Sequence, residues 1–182
     1  NIIYVEGHFE SEKFFKKYSN DIIKQFTLKE ASISKVNPYI NKISKSNSIS
    51  ICVRQNRYSE GRNKDFNKSE LLTKKTIDYI YRGINYFENK VENPTFFIWS
   101  NNFDGLDKYF DKSKFVFVEN SKNKSINDFY LFKYCQHFIV GPTSFHWWGA
   151  WLNNNKNKIC LRPKDINVSN NADLWPENWI SV

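Results

Sequence analysis

The chain of 182 residues is poor in the signals that usually announce a nucleotide loop or a metal centre. Its six glycines form neither G-x-G-x-x-G nor G-x-x-x-x-G-K-[ST], which excludes the standard dinucleotide loop and the P-loop. Its three cysteines, Cys52, Cys135 and Cys160, are odd in number and lack any C-x-x-C or Cys/His zinc spacing. They sit among apolar neighbours, which reads as buried free thiols in a reducing compartment. No apolar run approaches a membrane span and no signal peptide opens the chain. Secretion therefore has no support, a cytoplasmic location is expected, and the sequons at Asn67, Asn123 and Asn167 read as chance. There is no internal repeat, and Asn153 to Lys158 is the one low-complexity tract. The first residue is not methionine, and the chain opens in an apolar stretch, Ile2-Ile3-Tyr4-Val5. A preceding amino-terminal part is expected from this.

What is present points to a folded domain. Hydrophobic residues make up 40 % and aromatics 18 %, too much for disorder over most of the length. The length suits one domain, or one domain with part of another. The formal charge of +8 and a pI near 9.3 favour anionic partners: a nucleoside diphosphate, nucleic acid, or an acidic membrane on which the protein would sit peripherally. The lysines are scattered, the aromatics follow core periodicity, and no RNP-like motif occurs, so nucleic acid is not expected.

The most informative stretch is Asp128 to Asn153. Asp128 to Gln136 has helical spacing in Leu131, Phe132 and Cys135, and Phe138 to Val140 suits a buried strand. Gly141-Pro142 breaks the chain, and Thr143 or Ser144 can cap a new helix carrying Phe145, Trp148, Ala150, Trp151 and Leu152. Such a strand-turn-helix corner leaves helix N–H groups free for a phosphate. Equally, many such corners bind nothing, and clustered tryptophans commonly build core.

Elsewhere the chain alternates. Ser11 to Phe26 reads as an amphipathic helix capped by Ser11, with Phe14, Phe15, Tyr18, Ile22, Ile23 and Phe26 on one side. Lys29 to Ile33 extends a helix or starts another, which Pro38 ends or kinks. Ser44 to Ser48 is a polar turn. Strands follow at Ser48 to Val53, Thr95 to Trp99, Phe115 to Val118, Phe138 to Val140 and Lys158 to Leu161. Ser69 to Phe87 is a helix that Ser69 can cap, Leu106 to Phe110 a short one, and the tail with Trp175, Pro176 and Trp179 wraps back onto the domain. This pattern predicts an α/β fold: a Rossmann-like parallel sheet with helices on both faces. Three polar segments follow strand ends: Arg54 to Tyr58, Ser100 to Asn102, and Pro142 to Ser144. In a parallel sheet they converge on one edge, where ligands bind. Arginine suits phosphate through its planar fork. The plainer reading of the first segment is a solvated loop with a surface ion pair, Arg57 with Glu60.

Thr143-Ser144-Phe145-His146-Trp147-Trp148-Gly149-Ala150-Trp151-Leu152-Asn153, preceded by Asp128, Cys135 and His137, resembles the S-S-F-S-W-W-G-A-W-L-N signature of the α-1,2-fucosyltransferases, glycosyltransferase family 11. Glu6 to Phe15 resembles that family's G-Y-F-Q-S-E-K-Y-F, Asn93 to Asn102 its F-x-x-F-S-D-D segment, and Lys158 to Pro163 with Trp175 to Trp179 its carboxyl end. The resemblance implies a GT-B architecture of two Rossmann-like domains, with GDP-fucose bound by the carboxyl-terminal one. It implies inverting transfer to a glycan hydroxyl without a metal or other cofactor. Residues 46–182 would be the donor domain, and 1–45 the hinge and a remnant of an acceptor domain that is incomplete here.

Two family motifs are altered. Against H-x-R-R-x-D the chain has Cys52-Val53-Arg54-Gln55-Asn56-Arg57, so Arg54 alone inherits the diphosphate contact. Asn101 and Asn102 stand for two aspartates, and His146 for a serine. Donor-binding candidates are Arg54, Arg57, Ser100, Asn101, Asp128, Thr143, Ser144 and Phe145; Arg57 or Arg62 replaces the charge lost at Gln55. Arg54 would stabilise the departing diphosphate. For the acceptor base, Glu6 and His8 are candidates in a segment matching the family; Glu6 equally serves as a structural partner, and a base in the expected preceding part is the alternative. A non-catalytic or altered-donor relative that binds nucleotide sugar or glycan is the alternative reading.

Overall fold

A computed structural model of the chain describes Tyr4, Glu6 and residues 11–26, 38–119, 125–166, 168–169 and 171–182. The centre is a six-stranded, all-parallel sheet in the order β3-β2-β1-β4-β5-β6. The strands are β1 (Asn47–Val53), β2 (Pro94–Ser100), β3 (Phe115–Phe117), β4 (His137–Ile139), β5 (Cys160–Arg162) and β6 (Ile180–Ser181). This is the order of a doubly wound Rossmann sheet, with the direction of winding reversing between β1 and β4. The five expected strands are all present; β6, with two exposed residues, is an addition.

Period-two alternation sorts the sheet residues onto two cores. On β1, Ile49, Ile51 and Val53 join Ile98, Ile139 and Leu161 on one face. Cys52 joins Phe97, Trp99, Phe138, Val140 and Cys160 on the other. Helix α3 (Phe66–Glu88) covers the first face with Ile77, Ile80, Ile84 and Phe87. It approaches so closely that a Cβ on Gly83 would stand 2.9 Å from Ile139. The Tyr79 hydroxyl anchors it, donating to the carbonyls of Val140 at 3.1 Å and Leu161 at 2.8 Å. Helices α2 (Pro38–Ser44), α4 (Ser125–Phe132) and α5 (Ser144–Leu152) cover the second face. The sheet is thus buried on both sides, which explains its near-continuous apolar strands.

Residues 11–26 pack on α5. Phe15 lies among Trp147, Trp148 and Trp151, and the Trp151 indole donates to Glu12. The tail closes the same side, with Trp179 against Trp147 and the Trp147 indole donating to the Leu174 carbonyl at 2.8 Å.

Four local expectations change. Ser11 does cap its segment, but the helix of 11–26 is two 3-10 turns, Glu12–Phe14 and Lys16–Tyr18, before α1 (Ser19–Gln25). Pro38 starts α2 instead of ending a helix, because a first-turn residue needs no N–H. Asp65 caps α3 by accepting from the Lys68 amide, while Ser69 is buried one turn inside and accepts from the Tyr58 amide. Helix α4 begins at Ser125 and ends at Phe132, earlier at both ends than its spacing implied. The stretch read from Lys29 to Ile33 lies outside the described residues, as does the opening apolar stretch, Ile2 to Val5, apart from exposed Tyr4.

Candidate functional site

The carboxyl ends of β1, β2 and β4 open into a cavity of about 530 Å³. Its wall contains Arg54, Arg57, Ser100, Asn101, Asp128, Thr143, Ser144 and Phe145, so every donor-binding candidate from the sequence reaches one space. Cys52, Ser125, Trp147, Trp148 and the tail residues Val168, Ser169, Leu174 and Trp175 complete it. The tail's share was not legible: no periodicity marks residues 168–175, and only Trp175 hinted that the segment folds back. Of the two acceptor-base candidates, Glu6 is exposed and outside this wall, and His8 lies outside the described residues.

The corner after β4 is held rigidly. Gly141 passes so close to β1 that a Cβ would meet the Cys52 carbonyl at 2.5 Å, so any side chain there displaces backbone. Thr143 is extended and caps α5, its hydroxyl accepting from the His146 amide at 3.2 Å. Ser144 and Phe145 occupy the first turn, where helical bonding uses neither N–H. His146 is fully buried. Its Nδ1 accepts from the Gly141 amide at 3.0 Å, which leaves the proton on Nε2 to donate to Ser50 Oγ at 2.8 Å. Burial pushes its pKa down to about 3, so the ring stays neutral. His146 thus ties corner to sheet and takes no part in the cavity wall. At the other end of α5, the Lys158 ammonium donates to the carbonyls of Ala150, Trp151 and Asn153, as a cation at a helix C-terminus should.

The loop after β1 is held by polar side chains. Asn56 has φ of 59°, a left-handed turn that brings the chain back so that Arg57 donates to the Pro142 carbonyl at 2.7 Å. Arg54 pairs with Glu60, which corrects the expected pairing of Arg57 with Glu60. Gln55 belongs to the loop itself, its amide donating to the carbonyls of Asn102 at 2.7 Å and Asp104 at 3.2 Å. Asn101 stitches the two loops, accepting from the Gln55 amide and donating to the Gln55 carbonyl and Glu60. Ser100 donates to the Val53 carbonyl at 2.8 Å. Ser100 and Asn101 therefore border the cavity with side chains already engaged.

All three cysteines are free and buried. Burial pushes the Cys52 thiol up to about 12, so it meets the cavity as a neutral, weakly polar group. Among the described residues no three His, Cys, Asp or Glu side chains gather as a metal site would. No helix there is long and apolar enough to cross a membrane.

The model of Glycosyl transferase family 11 matches residues 2–182. The chain belongs to glycosyltransferase family 11. Within this family, an alpha-1,2-colitosyltransferase of Escherichia coli is 26 % identical over 184 residues, covering 97 % of this chain and 61 % of that protein. The O-antigen biosynthesis glycosyltransferase WbnK of Escherichia coli is 28 % identical over 109 residues, 58 % of this chain and 36 % of the relative. The chain thus spans less than two thirds of either relative's length. No solved structure matches it. The parallel sheet with helices on both faces is the Rossmann-like layer of the family's GT-B fold.

Proposed function

We propose that residues 46–182 bind the nucleotide-sugar donor of an inverting, metal-independent glycosyltransferase, and that residues 1–45 lead into its acceptor side. The carrying observation is that two guanidinium groups, Arg54 and Arg57, meet the start of α5 at one cavity beyond the strands' carboxyl ends. In the transfer, an acceptor hydroxyl oxygen bonds to the anomeric carbon while the bond from that carbon to the diphosphate breaks. The electron pair leaves with the diphosphate, and the hydroxyl proton passes to a base, for which Glu6 and His8 are the candidates. Charge builds on the departing diphosphate. Arg54, Arg57, the Ser144 hydroxyl and the first N–H groups of α5 are donors of the kind that stabilise it. Asp128 lies in the same wall, and its carboxylate can accept from hydroxyl or base N–H groups of the nucleoside.

The family resemblance favours GDP-fucose and α-1,2 linkage. The colitosyl relative supports a second donor of the same kind, a colitose nucleotide. Both are resolved by thermal shift with GDP, UDP and an oligonucleotide, then by transfer assays of the full-length protein with both sugars. A nucleotide held at a hundred times its Kd adds about 2.7 kcal/mol of stability. GDP is expected to give such a shift and the other two not to. Indifference to every nucleoside diphosphate overturns the donor reading.

A further inference from the structure

The two arginines at the cavity are not in the same state. Arg57 donates to a neutral carbonyl, and among the described residues no carboxylate pairs with it. Arg54 already has an anionic partner, Glu60, whose other oxygen accepts from Asn101 at 3.3 Å. Arg54 borders the cavity and Glu60 does not. The Arg54–Glu60 pair is part-exposed, with side-chain exposures of 38 % and 46 %. We infer that Glu60 is a resident counter-ion of Arg54: an incoming diphosphate displaces it from Arg54, whereas Arg57 stands ready without exchange.

Magnitudes support this direction. An exposed ion pair is weak, worth at most a few-fold in an equilibrium constant, whereas a hydrogen bond from a guanidinium to an anion at a partly enclosed site is stronger. A diphosphate oxygen can therefore win Arg54 from Glu60, and Glu60 falls back on Asn101 and water. The exchange removes part of what Arg54 would otherwise add to ground-state affinity. This tempers product binding while leaving Arg54 free to act once charge has developed on the leaving group. The inference rests on the donor reading above and concerns the same cavity.

A double-mutant cycle tests it. Affinity is measured by calorimetry in wild type, Glu60→Gln, Arg54→Ala and the double variant, using whichever of GDP, UDP and dTDP the wild type binds best. Glu60→Gln should tighten binding about three- to fivefold, and by less than about twofold when Arg54 is already alanine. Equal gains in both backgrounds would mean simple charge repulsion and overturn the exchange. So would no gain in the single variant. If the wild type binds none of the three, the donor reading itself falls and the exchange with it. Unfolding scans without ligand check that each variant is folded.

Discussion

The corner from Gly141 to Phe145 and the loop from Arg54 to Glu60 meet at one cavity, but different forces hold them. The corner is fixed by close backbone contact at Gly141, a helix cap at Thr143 and a buried, neutral His146 between α5 and β1. Buried, fully satisfied polar groups of this kind allow little alternative geometry. The loop is fixed by exposed or half-buried polar contacts, each worth little alone. The corner also keeps the family signature, while the loop departs from the family's arginine motif. Rigid donors can hold a fixed position for charge that develops during reaction. Weakly held cations can change partners. The cavity combines the two.

The largest break of this comparison is on the loop side and should appear in turnover, not stability. In the full-length protein, Arg54→Ala is expected to lower turnover by about a hundredfold or more, the usual effect of losing one donor to developing charge. Arg57→Ala should cost tenfold or more in nucleotide affinity, since it deletes a cation that has no competing carboxylate. Arg54→Ala should unfold within about 0.5 kcal/mol of wild type, as surface changes do, whereas Arg57→Ala also loses the bond to the Pro142 carbonyl and should cost about 1 kcal/mol. Near-normal turnover in Arg54→Ala would mean that the loop has lost its part in the chemistry.

On the corner side the test is acid. The folded state holds His146 neutral, with its pKa lowered from about 6.5 to about 3, so below about pH 6.5 the unfolded chain binds the additional proton. Stability from this group is complete above pH 6.5 and falls by about 1.4 kcal/mol per pH unit down to about pH 3. His137, half-buried, has its pKa shifted downward by burial and adds in the same direction. Denaturant midpoints between pH 7 and pH 4 should therefore drop less in His146→Gln than in wild type, although that variant starts lower. Parallel slopes would show that the ring can take up a proton in place, and the corner would not be the rigid half.

Much of this is legible in the sequence, and the parts that are not share a cause. Strand positions followed from local apolar runs, and their alternation with helices fixed a parallel sheet whose polar strand ends had to converge. Arg54, Thr143 and Ser144 were therefore readable as neighbours. His146 was not: its partner Ser50 lies 96 positions away, and a lone histidine among tryptophans gives no sign of pointing at a strand. Glu60 was paired with the wrong arginine because sequence spacing cannot reveal the left-handed turn at Asn56, which returns Arg57 to Pro142. Ser69 looked like a cap because the residue that outranks it, Asp65, stands four positions earlier in a polar run. Periodicity shows which face is buried, but long-range polar partners depend on the folded turn.

The smallest effect separates two adjacent hydroxyls and sharpens the comparison within the corner. Thr143 accepts from the His146 amide and is half-buried; Ser144 is exposed at the cavity wall. Thr143→Ala removes a cap and should cost about 1 kcal/mol, a few degrees in Tm for a chain of this size. Among the described residues Ser144→Ala removes no hydrogen bond, and it should leave Tm within about a degree, yet weaken nucleotide binding several-fold, the scale of one neutral hydrogen bond. Melting and calorimetry on the two variants give a crossed pattern if scaffold and contact are separate groups. Loss of stability in Ser144→Ala with none in Thr143→Ala would reverse the assignment. The cap would then sit one residue later, and the first turn of α5 would present a different pair of N–H groups to the cavity.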